Sequence, residues 1–150
     1  MDRQPPTFVT RARARVDRMA CPWLIRRFID PNARILFVEA DRVLPVAQAE
    51  HAMPFDVPGV DLGHHGDRCS FDAFLERYGL DDPALRAMAL IIRGADTDRL
   101  DLVPEAAGLF AIATGFQHLM PERFGDDDAM LAAETPMYDA LYEYCRLQSA

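Results

Sequence analysis

Lysine is absent: all 16 basic residues in this 150-residue chain are arginine. Arginine's planar fork suits oxyanions and carboxylates, although a genome rich in arginine codons accounts for the same bias. Cysteine is scarce. The three present, Cys21, Cys69 and Cys145, are an odd number, which argues against a disulfide framework and for a reducing, cytoplasmic setting. Long apolar runs are missing too. The longest, Ala106–Phe116, is too short to span a bilayer, and the opening MDRQPPTFVTRARAR lacks the apolar core of a signal peptide. No membrane association is therefore expected. There is no CxxC, no HExxH, no glycine-rich phosphate loop, no GxSxG and no internal repeat. Positive charge is in deficit, with a formal net charge of -8, which argues against nonspecific nucleic-acid binding. The charge is uneven. Residues 1–34 carry eight arginines against three aspartates, a surplus of +5, so the remainder carries -13.

With half its residues hydrophobic, a chain of this length can bury a full core without cross-links. It reads as a single domain over residues 1–150, with residues 1–6 as a loose tail. Short strands are expected at Thr7–Thr10, Arg34–Ala40 and Met53–Val57. Apolar residues at helical spacing mark a helix around Cys21, Leu24, Ile25 and Phe28, which either begins near Cys21 or is kinked by Pro22. Further helices are expected at Asp41–His51, after Ser70, after Asp82-Pro83 as far as Gly94, across Pro104–Leu119, and after Asp126 with an interruption at Pro136. Pro104–Leu119 is apolar on nearly every side and so should lie in the middle of the core. The sum is an α+β domain, mostly helical, with about six helices and a small sheet of two or three short strands near the N-terminal third.

The chemistry concentrates in Asp56–Asp72, DVPGVDLGHHGDRCSFD. Two histidines, a cysteine, an arginine and four aspartates lie among turn formers. Phe71, Phe74, Leu75 and Tyr78 then form a helical stripe with Ser70 as N-cap and Gly79 as C′. His64, His65 and Cys69 thus sit on a loop ending at a helix N-terminus, where anions and thiolates are favoured. Adjacent side chains diverge. One imidazole should therefore face a pocket while the other bonds a carboxylate or backbone carbonyl. With Asp96 and Asp17, these residues are candidate ligands for a divalent transition metal, zinc or iron. Against this, His64 and His65 are also ordinary solvated turn residues, Cys69 an ordinary apolar plug, and Asp96 an ordinary turn carboxylate. Cys69, beside Arg68 at a helix start, is the leading redox thiol; Cys21 joins it if a helix begins there, and otherwise is a buried core thiol.

Three blocks carry a resemblance: VDRMACPWLIRRFIDPNARILFV, MPFDVPGVDLGHHGDRCSFDAFLERYGLDDPAL and IIRGADTDRLDLVPEAAGL. In this order, over Thr10–Cys145, they resemble the chromate-resistance family, the domain at the C-terminal end of chromate-responsive transcriptional regulators. The resemblance implies a sensory role in chromate resistance. The longer regulators carry a separate DNA-binding region ahead of this domain, so no direct nucleic-acid binding is expected of this chain alone. Chromate is a tetrahedral dianion, and Arg18, Arg26, Arg27 and Arg68 are candidate contacts for it, with Cys69 and Cys21 as groups it would oxidise. The expected partner is thus a small oxyanion or a metal ion; homo-oligomerisation is left open. The competing reading is a metal-dependent enzyme, hydrolytic or redox, using the His64/His65/Cys69 loop.

Overall fold

Strand β1 (Thr7–Arg11) lies at the centre of a three-stranded parallel sheet of order β2-β1-β3, between β2 (Arg34–Val38) and the two-residue β3 (Met53–Pro54), in a computed structural model describing residues 4–149 except for the Pro121 side chain. The loose tail expected over residues 1–6 falls partly outside that range. Parallel pairing requires crossovers. The chain supplies α1 (Asp17–Leu24) between β1 and β2, and α2 (Val43–Glu50) between β2 and β3. Both faces of the sheet are covered. Phe8, Ile35 and Phe37 point into the main core, while Val9, Leu36 and Val38 pack with Val43 on the other side.

Helix α1 is the hub, buried along its whole length and packed against α3 (Ser70–Arg77), α4 (Pro83–Asp96) and α6 (Asp127–Gln148). It begins at Asp17, passes through Pro22 and widens into a π turn at Ile25–Ile29. Cys21 is therefore interior to the helix and not at its start. Trp23 packs against Phe28, Tyr138 and Tyr142, and its indole donates to Asp139 Oδ1 at 2.8 Å.

Helix α3 ends as its sequence indicates. Gly79 has φ +59°, Gly79 N donates to Glu76 O and Leu80 N to Leu75 O, a Schellman pair. Its N-cap is Cys69, one residue earlier than expected. Helix α4 opens on Asp82, whose carboxylate accepts from Ala84 N, but it does not stop at Gly94. A Cβ at that position would lie 2.7 Å from Ala106 Cβ and 2.8 Å from Arg99 O. Gly94 is there for close packing, and the helix continues to Asp96. Pro136 does not break α6 either, which runs unbroken over 22 residues. Helix α5 (Glu105–Leu119) buries Ala106, Leu109 and Ala113 but leaves Ile112 and Leu119 about half exposed, so it lies on the surface and not mid-core. No helix among the described residues is long and apolar enough to cross a membrane.

Candidate metal centre

The carboxyl ends of parallel strands collect chain segments that leave the sheet together, and ligands commonly bind there. Here β1 leads to Arg11 and on to α1, and β3 leads through Phe55 to Asp56 and the histidine loop. Thr10 Oγ1 donates to Phe55 O at 2.6 Å, and Arg11 Nη2 donates to Asp56 O at 3.1 Å, fixing the two exits side by side. Asp56 has φ +53°, a left-handed conformation that aspartate tolerates better than most residues.

The loop then brings His64 back over three carboxylates. Its Nε2 lies 3.0 Å from Asp56 Oδ1, 3.3 Å from Asp96 Oδ2 and 3.4 Å from Asp17 Oδ2. Ligand atoms of Asp17, His64 and Asp96 all fall within 4.8 Å of one another. Each acid arrives on a different element: Asp17 in the first turn of α1, Asp96 as the last residue of α4, Asp56 after β3. Asp96 reaches the site because α4 runs past Gly94.

Asp17 is fully buried and doubly employed. Its Oδ2 accepts from Ser70 N at 2.8 Å and its Oδ1 from Phe71 N at 3.0 Å, so it caps α3 from another helix. Asp17 N donates to Asp96 Oδ1 at 3.2 Å. Burial pushes the Asp17 carboxyl up, against the hydrogen bond from His64. Burial also opposes ionisation of Asp56, but His64, the Ser70 hydroxyl at 2.8 Å and Arg18 outweigh it and hold Asp56 below the usual range. Hydrogen bonding to the three acids, Asp17 foremost, raises His64 well above an ordinary imidazole.

The remaining sequence candidates disperse. His65 turns away, its Nε2 2.8 Å from Asp61 O, so the two imidazoles diverge as adjacent residues should. Cys69 lies outside the cluster. It is 1% exposed, its Sγ donates to Asp72 Oδ2 at 3.4 Å, and burial with the nearby Asp17 and Asp72 charges keeps it a thiol. Cys21 is fully buried, its Sγ donating to Asp17 Oδ1 at 3.4 Å, and its pKa too is raised by burial. Neither thiol therefore has the exposed, electropositive setting expected of a redox group.

Of the four candidate arginines only Arg18 reaches the cluster, with Nε 3.9 Å from Asp56 Oδ2. Arg26 bonds Ala33 O, Arg27 lies against Asp139 and the Phe28 and Tyr142 rings, and Arg68 pairs with Glu76. Asp56, Ser70 and Arg11 are the site residues that sequence reasoning missed. The available signal was Asp56 itself, an acid placed between a strand and the Pro58-Gly59 turn.

Comparison with known proteins bears on the family of the chain. Protein ChrB of Cupriavidus metallidurans (strain CH34) is 39% identical over 138 residues, which is 91% of this chain and 40% of that relative's length. No solved structure matches. The family described as ChrB, C-terminal domain, matches residues 8–145, and the chain therefore belongs to that chromate-resistance family.

Proposed function

We propose that this domain is a metal-dependent sensory unit of the chromate response, holding a divalent transition metal, zinc or iron, through Asp17, His64 and Asp96, with Asp56 beside them. One observation carries the reading: a single imidazole nitrogen stands within 3.4 Å of three carboxylates. A ring N–H can be directed at only one acceptor, so two of the three acids gain little from it. Mutual repulsion among largely buried carboxylates is relieved far better by a divalent cation, which carboxylate and imidazole ligands both suit. Ser70, donating to Asp56, and the α3 amides, donating to Asp17, supply the outer hydrogen bonds that orient such ligands.

The test is metal content by mass spectrometry on protein purified without chelators, then titration of dialysed protein with zinc. One equivalent per chain is expected, and His64→Ala and Asp96→Asn should each weaken binding by at least about tenfold. His65→Ala, outside the cluster, should leave it unchanged. Stoichiometric metal retained in both His64→Ala and Asp96→Asn would overturn the assignment. The second reading, a metal-dependent enzyme, draws on the 41% exposure of the His64 side chain, which leaves an open side to the cluster. An enzyme turns over; a sensor binds its ligand stoichiometrically and unchanged.

A further inference from the structure

The two outer edges of the sheet are built differently. β3 is two residues long and ends on Pro54. Phe55 N donates to Val9 O, so by alternation the Pro54 nitrogen faces outward, where it has no hydrogen to offer a further strand. That edge is blunted. β2 is five residues long, RILFV, with no proline and, after Arg34, no charge, so it lacks the usual protections of an edge strand. Only β1 packs closely against it, and no further strand pairs with it among the described residues. Arg34 N donates to Pro6 O and Val38 O accepts from Ala12 N, so residues 34, 36 and 38 direct their backbone groups at β1. The N–H and C=O of Ile35 and Phe37 therefore point out of the sheet edge. None of these four groups has a backbone partner among the described residues.

We propose that β2 is a self-association edge: two copies of this chain join β2 to β2, antiparallel about a two-fold axis at Leu36, into one continuous sheet. In that register Ile35 lies opposite Phe37 of the second copy and exchanges both hydrogen bonds with it. The symmetric pair does the same, so all four open groups are satisfied. Two observations favour a second copy over another extended segment. Both faces of β2 are apolar, with Ile35 and Phe37 toward the main core and Leu36 and Val38 toward Val43. A strand added beside it must be apolar on both faces, as β2 itself is. The ends are also complementary in charge. Arg34, exposed, opens β2, and Glu39, exposed, follows it. Antiparallel pairing sets Arg34 opposite Val38 of the second copy, one residue from that copy's Glu39, whereas parallel pairing sets Arg34 beside Arg34. Glu39 holds Arg13 in an exposed pair and keeps lone pairs for a second guanidinium. The cluster takes no residue from β2, so the association is independent of the metal reading. A five-residue seam is smaller than the standard interface of about 800 Å² per partner, so the dimer forms as concentration rises.

The experiment is sedimentation of the whole chain over rising concentration, paired with amide exchange read residue by residue by NMR. The mass should rise from the 16.9 kDa of one chain toward twice that value. Over the same range the Ile35 and Phe37 amides should slow at least about tenfold, while that of Leu36, already bonded to β1, should not change. The two Leu36 residues would form a non-hydrogen-bonded pair with Cα atoms about 4.5 Å apart, within disulfide range. Leu36→Cys should therefore cross-link on mild oxidation with copper phenanthroline, with folding checked by circular dichroism. Leu147→Cys, 63% exposed on α6, should not. Arg34→Glu, on an exposed residue, should weaken the dimer about threefold to tenfold. A mass of one chain up to the concentrations used for NMR leaves the edge to a different extended segment and overturns the proposal. So does a dimer in which the Ile35 and Phe37 amides still exchange freely. Equal cross-linking of the two cysteine variants, or a dimer unmoved by Arg34→Glu, overturns the antiparallel pairing.

Discussion

Asp17 and Cys69 show how one residue's surroundings decide its chemistry against its sequence context. Cys69 sits at a helix N-terminus beside an arginine, the setting that favours thiolate, but Arg68 points to Glu76 and the thiol faces Asp72. Native protein treated with iodoacetamide should therefore show no labelling at Cys21, Cys69 or Cys145, exposed by 0%, 1% and 2%, until denaturant is added. Rapid labelling of Cys69 in the native state would contradict the placement. Glu134 is a second residue set by burial. It is 1% exposed on α6, its Oε1 has no partner among the described residues, and desolvation raises its pKa to about 8. A carboxyl raised in the folded state binds more protons there than in the unfolded chain. Its neutral form is tolerated fully below pH 4.5, and stability falls as pH rises from there through about 8. Glu134→Gln should remove that fall, raising stability at pH 9 relative to pH 5 by on the order of 1–3 kcal/mol in urea unfolding. An unchanged pH profile would show that Glu134 does not titrate in this range.

At the level of elements, local signals succeeded where backbone chemistry alone decides, as at Asp82-Pro83 and Gly79, and failed where packing decides. Gly94 has the sequence form of a helix stop but is the point where α4 meets Ala106 and the Arg99 carbonyl. Gly94→Ala should cost about 1–3 kcal/mol by overpacking and shift the end of α4, so that Asp96→Asn and Gly94→Ala both lower zinc affinity. A neutral Gly94→Ala would refute the close approach. Pro136 and α5 teach the same lesson. A long helix held on one side by α4 absorbs a proline, and an all-apolar helix need not be central. The strands, the approximate helix count and the small N-terminal sheet were legible because apolar runs and helical spacing record which faces are covered, whereas the parallel order of the strands was not. The site was half legible. The loop announced His64, and Asp17 and Asp96 were chemically suitable. Asp56 and Arg11 owe their place to the convergence of two strand ends, which no local spacing encodes.

Across the whole molecule, the cluster draws on residues 17, 56, 64 and 96, carried by segments that meet only once the sheet and the α1–α3–α4 packing exist. Asp17 is the joint, since the same carboxylate holds the first turn of α3 and faces His64. Asp17→Ala should cost about 2–4 kcal/mol in urea unfolding, well above Asp96→Asn, because two buried amides lose their acceptor. Equal costs would mean that Asp17 serves the cluster alone. The sharing has a consequence for observing the protein at work. The backbone protons of Ser70 and Phe71 are bonded to an oxygen pair whose electron density any event at the cluster must alter, so in a two-dimensional NMR spectrum these two resonances form a built-in gauge. They should move together on titration with metal, and their exchange with deuterated solvent should slow, reporting occupancy with no probe attached.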